Sequence, residues 1–439
     1  MTTEAESSPV AATPRQGEDI RARWAWVEPS VWTERMLAAL ENGVKGGKWF
    51  SLCDKVWHPA NLQAAWQRVY ANRGGSGVDG QTVHQYEARW QRELECLRDL
   101  LKSDRYVPQP VRRVWLPKPG SREKRPLGIP AVRDRVVQTA LLQVIAPIFE
   151  RIFAPTSYGF RPGRGCKDAL RRVTTLLQRG YRWVVDADLK SYFDTIPQEP
   201  LMALVEEHIA DGRVLALLRG YLRQGVMDGV KEWTPEDGTP QGAVISPLLA
   251  NLYLNPLDQL LAAKGFEMVR YADDFVILCR TREEADAALA VVQEWVTGAG
   301  LTLHPLKTRI VSEADGFDFL GYHFEGDRHW PRQKSVDKFR DGIRELTRRT
   351  NGQSLDKIIA RLNPKLRGWY GYFKHSYKTT FEYHDGWIRK RLRAILNKRE
   401  GRSRWKHTRT DHTRWPNAFF QAHGLVSLTA AHAAECRSL

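Results

Sequence analysis

The sequence predicts an α/β core followed by a mostly helical, strongly basic module, and three observations lead there. Between about residues 106 and 324, period-two runs alternate with runs at helical spacing, the pattern of strands and helices packed in layers. The formal charge of +16 lies entirely between Pro331 and Trp415, where 24 Lys+Arg face 8 Asp+Glu; the remainder of the chain holds 43 of each. The apolar, β-prone run RYADDFVILC, 270 to 279, carries two adjacent carboxylates, Asp273 and Asp274, in its middle.

Composition narrows the class. At 439 residues the chain is long enough for two or three domains with cores of their own. No apolar run approaches the roughly 20 residues that span a bilayer. The N-terminal MTTEAESSPVAATPRQGED has neither a basic start nor an apolar centre, so it is not a secretory signal, and residues 1–30 read as a disordered lead-in. The five cysteines, Cys53, Cys96, Cys166, Cys279 and Cys436, form no CxxC pair, which argues for a reducing compartment and against a zinc module.

Taken in order, residues 31–70 place Trp32, Met36, Leu37 and Leu40 at helical spacing. NRGGSGVDG (72–80) is a Gly-rich loop, and 82–104 is helical again. YVPQPVRRVWLP (106–117) reads as a strand, and KPGSREKRPLGIP (118–130) as a basic turn returning into a second. Helices are expected at about 133–153, 166–180, 198–224, 246–265 and 282–299. A strand is expected at YRWVVDADL (181–189) and hairpins at VMDGVKEW (226–233) and RYADDFVILC. Short strands follow at TRIV and FDFLGYHF, and helices dominate from 335 to 397. Pro247 falls in the first turn of its helix, where proline is tolerated.

The basic segment also holds eleven aromatics, among them Trp369, Tyr370, Tyr372, Phe373, Tyr377, Trp387 and Trp405. Cations interleaved with rings suit nucleic acid, through counterion release and base stacking; the alternative is a solvated helix face over an aromatic core. In VVDADLKSYFD, strand alternation puts Val184, Asp186 and Asp188 on one face, with Asp188 at the strand's end. Asp273 and Asp274 lie at or beside a hairpin turn. An exposed Asp-Asp turn is the ordinary reading, but Tyr271, Ala272 and Phe275 to Leu278 make an apolar frame around it. Unpaired burial of adjacent carboxylates would cost several kcal/mol. Hard divalent cations relieve that cost, and two of them about 4 Å apart would serve phosphoryl transfer.

YADD (271–274) resembles the active-site motif of reverse transcriptases. The ordered blocks KPGSREKRPLGIP, SYGFRPGRGCKDAL (157–170), DLKSYFD (188–194), GTPQGAVISPLLANLYL (238–254), GLTLHPLKTRIV (300–311) and FDFLGY (317–322) surround it in that family's order. Together they resemble the bacterial group II intron-encoded reverse transcriptase/maturases, over roughly residues 31 to 430. GVDG (77–80) fits the N-terminal extension, LNPKLRGWYGYF (362–373) the maturase or thumb domain, and RWPNAFFQAHGLVSL (414–428) the C-terminal region of members without an endonuclease.

The resemblance implies a right-hand polymerase, with fingers, a palm of βαββαβ core and a helical thumb. The reverse transcriptase domain would occupy 31–330, the thumb or maturase domain 331–397, and a short basic DNA-binding region 398–439. It implies two Mg²⁺ ions on Asp188, Asp273 and Asp274, with Asp274 the most open assignment and Asp186 structural. Lys118 and Arg125 would hold the triphosphate, Phe193 would exclude a ribose 2′-OH, and Gln241 would contact nucleotide or template. Lys307 would protonate the leaving pyrophosphate. Arg367, Trp369, Tyr370 and Lys374 are the expected RNA contacts, although their aromatics could equally be core. Arg402, Arg404, Lys406 and Arg414 are the expected DNA contacts. The implied partners are a group II intron RNA, a DNA target and primer, and dNTPs, in a bacterial cytoplasm. Without endonuclease chemistry, priming would use another DNA 3′ end. A non-catalytic splicing factor and a host-recruited free-standing reverse transcriptase, for example in phage defence, are the alternative readings.

Overall fold

The computed structural model describes residues 20–117, 124–229, 231–240, 242–402 and 409–437. Among these residues the chain is a mixed α/β protein with many helices and three small sheets. Eleven strands are described: β1 Val111–Pro117, β2 Lys124–Ile129, β3 Trp183–Asp188, β4 Val226–Asp228, β5 Lys231–Trp233, β6 Glu267–Tyr271, β7 Asp274–Cys279, β8 Arg309–Ser312, β9 Phe317–Phe319, β10 Tyr322–Glu325 and β11 Arg328–Pro331.

The central sheet has the order β6-β7-β3-β8, antiparallel throughout. Its two faces are both apolar over most of their length, as a sheet covered on both sides requires. Val185, Ala187, Phe275, Ile277 and Cys279 join the large core under the helices Val132–Glu150, Ser246–Ala263 and Arg282–Gly298. Val184, Val276 and Leu278 face the other way, against the helix Cys166–Gln178 and the rings of β9 and β10. The second sheet, β2-β1-β4-β5, contains the expected hairpin of β1 and β2. The VMDGVKEW hairpin forms as β4–β5 and adds to β1 in parallel, through Val111↔Val226 and Arg112↔Met227. The third sheet is β11-β10-β9.

Three expectations change. The lead-in is ordered from Ile20 onward, because Trp24, Val27, Val31 and Trp32 bury their side chains in the main core. The helix expected through 31–70 is interrupted between Glu34–Asn42 and Cys53–Val56, where Gly43, Gly46 and Gly47 adopt positive φ. The helix expected at 198–224 is two, Gln198–Glu206 and Gly212–Leu222. Asp211 caps the second by accepting from the backbone N–H of Arg213 and Val214.

The basic segment forms the helices Gln333–Leu346, Leu355–Phe373 and Thr379–Arg399, followed by Arg409–Arg414, Asn417–Ala422 and Leu428–Arg437. They share a core of Phe339, Ile343, Ile358, Leu362, Phe381, Leu392 and Phe420, among others. Tyr322 Oη donates to the carbonyl of Tyr372 and Tyr372 Oη to that of Leu320, both at 2.7 Å, tying this unit to the third sheet.

Candidate active site and nucleic-acid interface

The register of the central sheet assembles the acidic site. Asp188 is the last residue of β3 and stands directly opposite Asp274, the first of β7. Opposed residues of an antiparallel pair project from the same face. The face that is apolar at Val184, Val276 and Leu278 therefore becomes acidic at Asp186, Asp188 and Asp274. Ala272 and Asp273 form the two-residue connection between β6 and β7, with Ala272 at φ 58°. Asp186 lies two pairs inward on the same face and meets Arg309 of β8 at 3.3 Å.

Electrostatics mark the cluster as short of positive charge. Burial, then the carboxylates of Asp186, Asp273 and Asp188, push Asp274 up to about 7, against the opposing charge of Arg332. Burial also raises Asp273, where Arg125 and Lys307 pull the other way. Lys307 Nζ donates to Asp188 Oδ2 at 2.7 Å, and the backbone N–H of His304 donates to the Asp188 carbonyl. Hard oxygen donors in mutual repulsion fit a divalent cation. As they stand, no three acidic, His or Cys side chains among the described residues converge closely enough to hold one.

The walls come from three motifs. Arg125, exposed on β2 opposite Leu116, extends its charge to Asp273. Phe193 is half-buried beside Tyr192, with ring centroids 5.6 Å apart. Its carbonyl accepts from Thr239 N–H at 2.7 Å, so the GTPQG loop is seated on it. Gly238 and Gly242 both have positive φ, and a Cβ would lie 2.7 Å from the Phe193 carbonyl oxygen and 2.5 Å from that of Gly128, respectively. These glycines let the loop run between Phe193 and β2. Lys118 and Gln241 lie outside the described residues.

A buried group behind the turn went unread in the sequence. Arg270 makes two bonds to Asp258, at 2.8 and 2.5 Å, and both side chains are fully buried. Its Nη1 donates to Asn251 Oδ1 at 2.8 Å and to the Ala272 carbonyl at 2.9 Å. Asn251, Asn255 and Asp258 occupy positions i, i+4 and i+7 of an otherwise apolar helix, a polar stripe that the sequence displays.

In the basic unit the expected contacts separate. Arg367 is exposed. Trp369 is committed to packing, stacked on Phe339 with centroids 4.4 Å apart and touching Phe373, Phe381 and His384. Tyr370 and Lys374 both hold Glu435 of the last helix. Arg414 and Arg402 pair with Glu400 at 2.6 and 3.7 Å, and Arg404 and Lys406 lie outside the described residues. A different set of cations converges. Arg340 and Arg344, one turn apart, face Tyr383, Trp387 and Arg391, spaced by four on the helix Thr379–Arg399. The guanidinium carbons of Arg340, Arg344 and Arg391 lie 5.7, 5.9 and 5.4 Å from the Trp387 ring, and Arg340 lies 5.1 Å from Tyr383. Asp341 offsets this charge at Arg344, at 2.6 Å. Burial, then Arg344, pushes Arg391 below its ordinary pKa.

Comparison with known proteins agrees with this geometry. Residues 116–324 match the family described as reverse transcriptase (RNA-dependent DNA polymerase), and residues 336–415 the group II intron, maturase-specific domain. The chain is 35% identical over 343 residues to Protein YkfC of Escherichia coli K12, covering 69% of this chain and 85% of that protein. It is 36% identical over 205 residues to the group II intron-encoded protein LtrA of Lactococcus lactis subsp. cremoris, covering 46% of this chain and 34% of LtrA. To the uncharacterized 91 kDa protein in cob intron of Schizosaccharomyces pombe it is 41% identical over 281 residues, covering 50% of this chain and 35% of that protein. The chain thus spans about a third of the latter two.

Proposed function

The chain belongs to the group II intron-encoded reverse transcriptases that carry a maturase domain, and on that premise we propose how its residues divide the work. It is an RNA-directed DNA polymerase by family, with a maturase-specific domain that assigns it to intron splicing and mobility. Residues 31–330 act as fingers and palm, 331–397 as the thumb or maturase domain, and 398–439 as the region that meets DNA. The observation that carries the reading is the register of Asp188 opposite Asp274, with Asp273 on the turn beside them.

Asp188, Asp273 and Asp274 would hold two Mg²⁺ ions, which would supply charge stabilisation for the attacking 3′ oxygen and the leaving pyrophosphate. Arg125 grips the triphosphate in bidentate fashion and Lys118 adds a point charge. Lys307, which donates to Asp188, would protonate the leaving pyrophosphate. Phe193 closes the space a ribose 2′-OH would need, and Gln241 contacts the nucleotide or template. With the half-buried ring of Trp369 stacked on Phe339, base stacking falls to other groups. The seam of Arg340, Arg344, Arg391, Tyr383 and Trp387 is therefore the principal nucleic-acid contact of the maturase domain, with the exposed Arg367 a further contact and the Arg402, Arg404, Lys406 and Arg414 group toward DNA.

Primer extension on an RNA template with dNTPs and Mg²⁺ tests this, comparing the wild type with Asp273→Ala/Asp274→Ala. Extension by the wild type and a loss of at least about a thousandfold in the variant are expected. If neither protein extends a primer while both speed splicing of a bound intron RNA, the protein is a splicing factor without polymerase activity.

A further inference from the structure

The turn that carries Asp273 is enclosed by a ring of buried polar contacts that plays no part in the roles above. Arg270 Nη1 reaches the Ala272 carbonyl at 2.9 Å and Asn251 Oδ1 at 2.8 Å. Asn251 Nδ2 donates to the Gly159 carbonyl at 2.8 Å. Gly159 closes the ring, packed so tightly on the turn that a Cβ there would lie 2.4 Å from the Ala272 nitrogen. Asp258 anchors the guanidinium from behind with two bonds, and backbone bonds Tyr158 N–H to Arg270 O and Arg270 N–H to Thr156 O hold the strand to the same segment.

A buried ion pair is a weak source of stability, because desolvation cancels much of its attraction and well-packed apolar residues often serve the fold as well. Its geometry, however, is specific: a planar fork fixed by a carboxylate on one side presents its remaining N–H groups in one direction. Here that direction is the carbonyl of Ala272, a non-glycine residue at positive φ immediately before Asp273. The helix Ser246–Ala263 thereby sets the height and tilt of the turn relative to Asp188 on β3.

We propose that Arg270, Asp258 and Asn251 are positioning residues that fix the Asp273–Asp274 turn at the separation from Asp188 that the ions require. The proposal rests on the reading of those aspartates as the metal-holding groups. Residues of this kind act through others, and removing such support costs metal affinity about 10- to 100-fold in characterised sites.

The test replaces the pair as a unit, with Arg270→Met/Asp258→Leu, so that no lone charge is left buried. Three quantities are read on the full chain: the thermal midpoint, Mn²⁺ affinity by electron paramagnetic resonance, and the Mg²⁺ and dNTP dependence of primer extension. The expected result is a midpoint close to the wild type, Mn²⁺ affinity and kcat down at least about tenfold, a raised half-saturating Mg²⁺ and a nearly unchanged KM for dNTP. A folded double variant with wild-type Mn²⁺ affinity and kcat overturns the proposal. If the double variant does not fold, Asn251→Ala replaces it; it leaves the ion pair intact and is expected to weaken Mn²⁺ binding about threefold or more. Wild-type Mn²⁺ affinity in that variant also overturns the proposal. A wild-type protein that neither binds Mn²⁺ nor extends a primer would overturn the underlying reading of the site instead, so the two failures are distinguishable.

Discussion

The central sheet and the basic helices each crowd like charges together, and they do it by opposite means. Asp188 at the end of β3 and Asp273 and Asp274 at the β6–β7 turn are half-buried, and the turn's backbone is held by Arg270 and packed against Gly159, which Asn251 holds. Around Trp387, three arginines lie on helix faces over a ring, Arg344 paired with Asp341 and Arg391 hydrogen-bonded to Thr347. The difference matches the ligands proposed for each. A pair of divalent ions needs oxygen donors placed to a few tenths of an ångström, whereas a phosphate backbone responds chiefly to local charge density. The first requires a framework behind the site; the second requires only a surface.

Steric intrusion at the acidic site should have the largest effect. Gly159→Ala forces backbone against backbone at Ala272, so primer extension should fall by roughly a hundredfold or more, by analogy with ångström-scale misplacement at other active sites. An active Gly159→Ala protein would mean that the turn tolerates displacement, which would erase the contrast with the basic seam. Phe193→Ala should sharpen the same side of the comparison: DNA synthesis persists while discrimination against ribonucleotides drops by at least about tenfold, measured by competitive incorporation. Unchanged discrimination would return Phe193 to a packing role.

On the basic side, removing cations should act gradually. Arg340→Ala/Arg344→Ala should weaken binding of structured RNA and lower the slope of log K against log salt by up to about 2, uniformly across RNA sequences. An unaltered slope would place the interface elsewhere. The smallest effect concerns His384, buried in the core of the helical unit beneath Phe339 and Trp369. Burial, then Arg340, lowers its pKa to about 4. The folded state therefore stays neutral while the unfolded state takes up a proton, so stability is lost as pH falls from about 6.5 to 4, by at most roughly 3 kcal/mol. His384→Phe should flatten that part of the pH–stability curve in chemical denaturation, and a curve identical to the wild type would contradict it.

The acidic cluster was legible because its signals are local. Asp188 ends a strand of strict alternation, and Asp273 and Asp274 interrupt an apolar run at a turn, so strand geometry alone brings them near one face. The Asn251, Asn255 and Asp258 stripe was equally visible, but a polar residue within an apolar helix does not announce its partner, and Arg270 lies on another element. The addition of β4–β5 to β1 could not be read, since the three-residue β4 meets β1 through two residue pairs more than a hundred positions apart in sequence. The basic helices left the placement of Trp369 and Tyr370 open for a different reason. Both faces of those helices carry rings, so periodicity does not tell the ring that packs from the ring that is offered. Tertiary contacts to Phe339 and Glu435 decide it.

The central claim is that the three aspartates hold the ions of polymerisation, and crystals soaked in Mn²⁺ with primer–template and a non-hydrolysable dNTP test it most directly. Anomalous scattering should show two peaks about 4 Å apart, bounded by Asp188, Asp273 and Asp274. No peak there in a complex with bound nucleotide, or peaks held by other residues, would contradict the account.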